Sequence, residues 1–273
     1  MTSFQSTDQL NHFINTYNLY RDDTIQQVQL NHRLDLVKAF KVEKGMRIIE
    51  IGCGQGDTTA ALADAVGESG RIVAIDIAKG DYGAPLTLDQ ANKVIKLSPL
   101  GDRISFYLDT DFLEFETKET FDMAILSHSS WYFNSNIQLQ NHLKKLRQIT
   151  KKLCVAEWDL AYSNKKQRPH FLAASILALY SNFVSNDGNI QHLFDKRQIQ
   201  TYIEDAGFNI YDQCTVDASY LQDGQWEISY ANSLSESFSD ASPMIQTLVQ
   251  SYYGLMNQPS EFQSLNSFVL CAN

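Results

Sequence analysis

The sequence predicts an α/β domain: a doubly wound, mostly parallel sheet with helices on both faces. Three observations carry that prediction. Short runs that are apolar throughout alternate with stretches of helical spacing, as in strands covered on both faces. A glycine cluster follows the first such run and opens the next helix. The composition, 44% hydrophobic and 20% charged, is that of a folded globular chain. The length of 273 residues allows one large domain or two small ones, and 13 Gly with 5 Pro leave little chain for linkers. A net charge of −10 excludes wholesale wrapping of nucleic acid, which needs a basic surface.

The N-terminal segment has neither a basic n-region nor an apolar h-region, so no signal peptide is read there. No apolar run reaches the length of a membrane span. A cytoplasmic protein is the resulting expectation. Cys53, Cys154, Cys214 and Cys271 lie far apart with no C-x-x-C pair. They read as buried small hydrophobes of a reduced compartment, and no metal site is expected.

Taken in order, Ser6 to Gln9 has the spacing of a capping box. Leu10, Phe13, Ile14 and Tyr17 follow at helical spacing. A second helix runs from Thr24 to Phe40, with Ile25, Val28, His32 and Leu36 on one stripe. Strands are read at Arg47–Ile51, Arg71–Asp76, Ile104–Leu108, Phe121–Leu126 and Lys152–Ala156. Helices between them run Thr58–Val66, stopped by Gly67, then Leu86–Leu97 behind Pro85, and Gln138–Thr150. Phe171 to Val184 is apolar almost all round and reads as a buried helix. Lys196–Ala206 is a helix closed by Gly207, and a strand follows near Phe208–Val216. A segment of about 217–262 is inserted before the last strand, Ser267–Cys271. It holds a strand-like piece, Trp226–Ser229, and a helix, Met244–Leu255. Residues 1–44 form an N-terminal helical lid, and 45–273 the main domain.

The chemistry-bearing motif is Glu50-Ile-Gly-Cys-Gly-Gln-Gly56. Three glycines two apart let the backbone turn sharply and approach a ligand. Free N–H groups at the next helix start can receive a carboxylate or phosphate. Asp76 ends the second strand 20 residues after Gly56, the distance at which an acid takes a ribose hydroxyl pair. A dinucleotide fingerprint, G-x-G-x-x-G, would need glycine at 57, where the chain has Asp57.

The pattern E-x-G-x-G-x-G resembles the first motif of the class I S-adenosylmethionine-dependent methyltransferases. The likeness stays in register from about 45 to 160 and continues more loosely to the end. Asp76 matches that family's second-strand acid, and Asp109 its acid after the third strand. Phe121 to Leu126 matches the fourth-strand motif, and Asp205 to Phe208 the "A-G-F" turn. The resemblance implies a seven-stranded Rossmann-like sheet and S-adenosyl-L-methionine as cofactor. It implies that Glu50, Gly52, Gly54 and Gly56 hold the methionine part. Asp76 and Ile77 would hold the ribose, and Asp109 and Thr110 the adenine edge, with Asp111 a rival to Asp109. Ser127 would lie beside the methyl donor.

Segment 127–133 reads as an acceptor wall, with His128 as a base or a hydrogen-bonded pocket residue. Trp131 and Tyr132 are candidate substrate contacts. With Phe133 they are consecutive, so at least one belongs to the core. Trp158 is a further acceptor contact, with packing beside a capping Asp159 as the other reading. Tyr17, Tyr20 and His32 either form the lid or pack as ordinary helices do. The basic cluster Lys144, Lys145, Arg147, Lys151 and Lys152 reads as a solvated face. Helix 171–184 is core, with substrate lining or a homodimer contact as the other readings.

Three functions fit. The first is methyl transfer to a small-molecule or lipid-like acceptor. The second is an enzyme like the cyclopropane-fatty-acyl-phospholipid synthases, which share the E-x-G-C-G start. Those have a Phe-Glu-His phrase where this chain has Ser127-His-Ser-Ser-Trp131. The third is a non-catalytic S-adenosylmethionine-binding protein.

Overall fold

A computed structural model describes residues 3–184, 186 and 188–273. Its seven described strands form one sheet. They are β1 (Arg47–Ile51), β2 (Arg71–Ile75), β3 (Ile104–Tyr107), β4 (Phe121–Ser127), β5 (Thr150–Trp158), β6 (Ile210–Val216) and β7 (Ser267–Ala272). The order is β3-β2-β1-β4-β5-β7-β6. The first five run parallel, and β7 is antiparallel to both β5 and β6. The order reverses between β1 and β4, so the ends of those strands open the crevice where such sheets bind ligands.

Helices cover both faces and divide the core in two. On one face α1 (Ser3–Tyr17), α2 (Thr24–Phe40), α3 (Asp57–Val66) and α4 (Leu88–Leu97) pack on the sheet. Phe13, Leu30, Leu36 and Phe40 meet Leu62, Val66, Ile48 and Ile125 there. The other face carries α5 (Asn136–Ile149), α6 (Arg168–Ser181), α7 (Lys196–Asp205), α8 (Asp223–Ser233) and α9 (Pro243–Met256). Local chemistry fixes the starts. The Asp23 side chain caps α2 through Gln26 N–H, and Thr87 with Gln90 forms a capping box on α4.

Several sequence expectations change. The box expected at Ser6 lies inside α1, which starts at Ser3, and the Ser6 side chain falls outside the described residues. Thr87 delays α4 to Leu88 because its hydroxyl is the better cap. Of the expected α2 stripe, His32 and Leu36 are fully buried and Val28 packs against the core, whereas Ile25 is exposed; Leu30, Leu34, Val37 and Phe40 are buried as well, so the packed face is wider than the expected one. Helix α6 ends at Ser181, leaving Phe183 and Val184 exposed beyond it. The strand-like Trp226–Ser229 lies within α8, where Glu227, Ile228 and Ala231 face inward. Lys145 is no solvated side chain: its Nζ donates to the carbonyls of Phe112, Leu113 and Phe115 at 2.7, 2.9 and 2.7 Å.

The cysteines also differ from expectation. The antiparallel register sets Cys154 directly opposite Cys271, and the two are joined as a disulfide. Cys53 is free and buried, and Cys214 is free but exposed on β6. Among the described residues no helix is long and apolar enough to cross a membrane.

Candidate active site

The glycine loop is built for close approach. Gly52, Gly54 and Gly56 all have positive φ, at 78°, 53° and 90°. A Cβ on Gly52 would lie 2.5 Å from Ser129 Cβ, which shows how tightly the ends of β1 and β4 meet. A Cβ on Gly56 would strike Ile95 Cδ1 at 2.7 Å. Gly54 differs, because its Cβ direction is open for 4 Å. Asp76 steadies this loop: Oδ2 accepts from Gly54 N–H and Oδ1 from Ala78 N–H, each at 2.8 Å. Burial raises the Asp76 carboxyl against those two donors.

Glu50 lies beneath the loop, 1% exposed, and accepts from the Thr59 hydroxyl at 2.5 Å. Its carboxyl is pushed up to about 8, chiefly by burial. On the far side of Asp76, Ile77 is 62% exposed at the cleft margin. Asp109 is exposed and holds a left-handed backbone, φ 51°. Thr110 is fixed by its N–H to Asp76 O at 3.0 Å. Asp111 is occupied locally, its Oδ1 accepting from Leu113 N–H at 2.7 Å. Of the two acids, Asp109 is therefore the one turned outward.

From the loop a chain of contacts leads to the acceptor side. Thr58 Oγ1 donates to Ser127 Oγ at 3.4 Å, and the next residue, His128, adopts φ 50°. A non-glycine residue held there is strained, a trait of functional sites. The Ser267 hydroxyl lies 3.0 Å from Nε2 of both His128 and His32. His128 Nδ1 faces Glu157 Oε1 at 3.3 Å, too poorly aligned for a hydrogen bond. Glu157 itself accepts from Ser130 N–H, the Ser130 hydroxyl and Trp158 N–H at 3.0, 2.7 and 3.0 Å. Burial lowers the basicity of His128, partly countered by Glu157, and that of His32 more strongly. Both His128 ring nitrogens therefore face protein groups, which favours the pocket-residue reading over a free base.

Trp158 is the hub. Its indole lies parallel to the His32 ring at 6.5 Å, and 4.4 Å from His128 and 5.1 Å from His170. Three elements, α2, the end of β4 and the start of α6, thus meet at the end of β5. His170 Nδ1 accepts from Leu265 N–H at 2.8 Å, so its proton sits on Nε2, 2.7 Å from Glu227 Oε2 on α8.

The aromatic trio divides. Trp131 is 3% exposed, and its indole N–H donates to Phe194 O at 3.3 Å, so it packs in the core and lines no acceptor wall. Phe133 is buried against His142. Tyr132 remains 49% exposed, yet desolvation raises its phenol well above the usual range, reinforced by Tyr82, Asp76, Glu227 and Glu157. Tyr132 is thus the one member of the trio that keeps about half its surface exposed just past the end of β4. Tyr17 and Tyr20 donate to Asp64 and Asp57 at 2.6 and 3.2 Å and pin the N-terminal helices to α3. Of the N-terminal trio singled out from sequence, only His32 reaches Trp158. Asp159 caps a turn at Ala161 N–H, 3.0 Å away.

Sequence reasoning missed Arg33, Glu157, His170, Glu227 and Ser267. A polar residue beside an otherwise apolar run was the available signal for His170 and Glu157. Nothing local marked the others.

The comparisons agree with this geometry. The family model of a methyltransferase domain matches residues 42–207. Methyltransferase phomM' of Diaporthe leptostromiformis is 28% identical over 158 residues, 50% of this chain and 41% of that protein. A demethylmenaquinone methyltransferase of Bacillus licheniformis is 35% identical over 78 residues, 28% of each. The chain thus spans less than half the length of these curated relatives. A solved structure, the cyclopropane-fatty-acyl-phospholipid synthase-like protein of Lactobacillus casei ATCC 334, is 32% identical. It superposes with a TM-score of 0.86 over 97% of this chain and 99% of that one. A family match over more than half the residues, on the strand order and loop described, makes this chain a member of the class I S-adenosylmethionine-dependent methyltransferases.

Proposed function

We propose that the chain transfers the methyl group of S-adenosylmethionine to a small or lipid-like acceptor held against Trp158. The observation that carries this is the convergence of His32, His128 and His170 on Trp158, directly beyond the glycine loop. The residues present fit the methyl donor. Gly54 leaves open space where a side chain would stand, and Asp76 keeps acceptor lone pairs beyond its two backbone bonds. On this reading Glu50, Gly52, Gly54 and Gly56 hold the methionyl end. Asp76 and Ile77 take the ribose, Asp109 and Thr110 the adenine edge, and Ser127 borders the reacting methyl. Tyr132 and Trp158 wall the acceptor.

When bound, the cofactor supplies an electrophilic methyl on a sulfonium. The chain's part is placement, which lowers such a barrier by roughly 7–11 kcal/mol when attack is aligned. Aromatic rings also suit a cation; Trp158 is 5% exposed, so on this reading it shapes the pocket from behind the three histidines rather than through an open face. Ser267 fixes the His128 ring through Nε2, and that ring with His32 packs on the indole.

Calorimetry with S-adenosylhomocysteine and with NAD tests the cofactor assignment. Tighter binding of NAD would overturn it. A second reading, chemistry on lipid acyl chains, is favoured by the 32% identical synthase-like structure. Release of S-adenosylhomocysteine with dispersed phospholipid but not with water-soluble acceptors would select it.

A further inference from the structure

We propose that Arg33 is the anion anchor of the cleft and receives a carboxylate from the ligand held over the glycine loop. The inference rests on the methyl-donor reading above and assigns a residue that the glycine loop and the strand-end acids leave out.

Arg33 follows His32 on α2, the helix that packs along α3. Its charge acts on Glu50 at the end of β1, on Asp57 at the start of α3 and on His128 at the end of β4. Its charge is thus felt by three groups that frame the cleft. One arm is held: Nη2 donates to Gln29 Oε1 at 3.3 Å, and Gln29 Nε2 donates to Asp223 Oδ2 at 2.6 Å. The other arm is not, since Nη1 is buried and bonded to nothing. Among the described residues no carboxylate comes within 4.0 Å of this guanidinium.

A cationic nitrogen removed from water without a counter-ion is strongly unfavourable. The nearest carboxyls do not offset it. Glu50, pushed up to about 8, is mostly protonated at neutral pH. Asp57 receives the Tyr20 hydroxyl at 3.2 Å instead. Arg33 is half-buried and its buried Nη1 lacks an acceptor; an anionic ligand would supply one, and the planar fork of arginine matches a carboxylate. Two sources offer one: the methionyl end of the donor, and an acidic acceptor.

Calorimetry on wild type, Arg33→Gln and Arg33→Lys separates them. The probes are S-adenosylhomocysteine, 5′-methylthioadenosine (which lacks the carboxylate), and octanoate added to protein loaded with S-adenosylhomocysteine. A donor carboxylate requires Arg33→Gln to weaken S-adenosylhomocysteine about 10–100-fold with 5′-methylthioadenosine within about twofold. Arg33→Lys should then recover part of the loss. An acceptor carboxylate requires unchanged nucleoside affinities and octanoate binding that Arg33→Gln abolishes. Ligand-free Arg33→Gln should melt no lower than wild type, because it removes an unpaired charge. Equal binding of every probe by wild type and Arg33→Gln overturns the proposal, and so does a large drop in melting temperature. If wild type binds neither nucleoside, the methyl-donor reading falls and this assignment falls with it.

Discussion

Glu50 couples the site to pH. In the folded chain its carboxyl keeps its proton up to about 8, against about 4.3 in an unfolded chain. Between those values the folded state binds the extra proton, so stability falls as pH rises, by up to about 1.4 kcal/mol per unit. The lowered histidines act the opposite way, but only below about 6.5, where the unfolded chain begins to charge them. The clean window is therefore pH 7 to 8. Ligand-free wild type should lose melting temperature across it, and Glu50→Gln should flatten that loss. An equal slope in both would remove Glu50 as the cause. Asp76 gives a second residue-scale test. Its carboxylate is expected to take two ribose hydroxyls at roughly 1.5–3 kcal/mol each. Asp76→Ala should weaken S-adenosylhomocysteine by at least about 100-fold while the far-ultraviolet circular dichroism stays that of the fold. Unchanged affinity would take Asp76 out of the site.

The glycine loop shows how elements constrain residues. Gly52 meets Ser129 across the β1–β4 junction, whereas Gly54 faces open space. Gly52→Ala must push backbone apart at 2.5 Å and should destabilise the fold well beyond the roughly 1–2 kcal/mol of a left-handed alanine. Gly54→Ala should cost only that strain yet weaken nucleoside binding, because its methyl enters the ligand's space. Denaturant melts and calorimetry on the two variants check the contrast, and equal stability losses would refute it. This loop was legible in sequence, as were Asp76 and all the parallel strands, because each is written in a contiguous stretch. Helix α8 was not: Trp226 to Ser229 is too short to reveal a period, and packing on α6 decided it. The stripe on α2 was legible at His32 and Leu36 but understated, because that helix is buried on more than one side and only Ile25 of the stripe faces out. Ser267 and Glu227 act across elements, with His32, His128 and His170 as their partners, so no local pattern announces them. The cysteine pair is the extreme case, 117 residues apart and joined by strand register alone. Thiol titration should find two thiols in unreduced, unfolded protein and four after reduction, with Cys214 alone reacting in the native state. Four thiols without reductant would contradict the cross-link.

At the scale of the molecule, the division at residues 44 and 45 has to be weighed against the core. A lid that merely closes a cleft would bury little of its own apolar surface in the domain beneath it. Here Phe13, Ile14 and Tyr17 of α1 join Leu30, Leu34, Leu36, Val37 and Phe40 of α2 in one cluster with α3 and the sheet. That cluster continues through Ile48, Ile125 and Val269, residues of three different strands. The two tyrosine bonds to Asp57 and Asp64 tie the same helices to α3. A buried side chain of this size contributes roughly 1.5–3 kcal/mol, so losing eight of them removes burial comparable to the roughly 5–15 kcal/mol net stability of an ordinary domain. On this account the described α1 and α2 pack as a layer of the fold, with His32 of α2 reaching Trp158. A chain of residues 45–273 should therefore show no cooperative thermal transition and no binding of S-adenosylhomocysteine. A truncated protein that melts cooperatively and still binds the nucleoside would show that the N-terminal helices are a separable lid after all. Partial proteolysis of the full chain gives an independent check. With α1 and α2 built into the core, cleavage in the 18–23 turn or at 41–46 should be slow, and no faster than cleavage in the exposed loops of the 217–262 insertion.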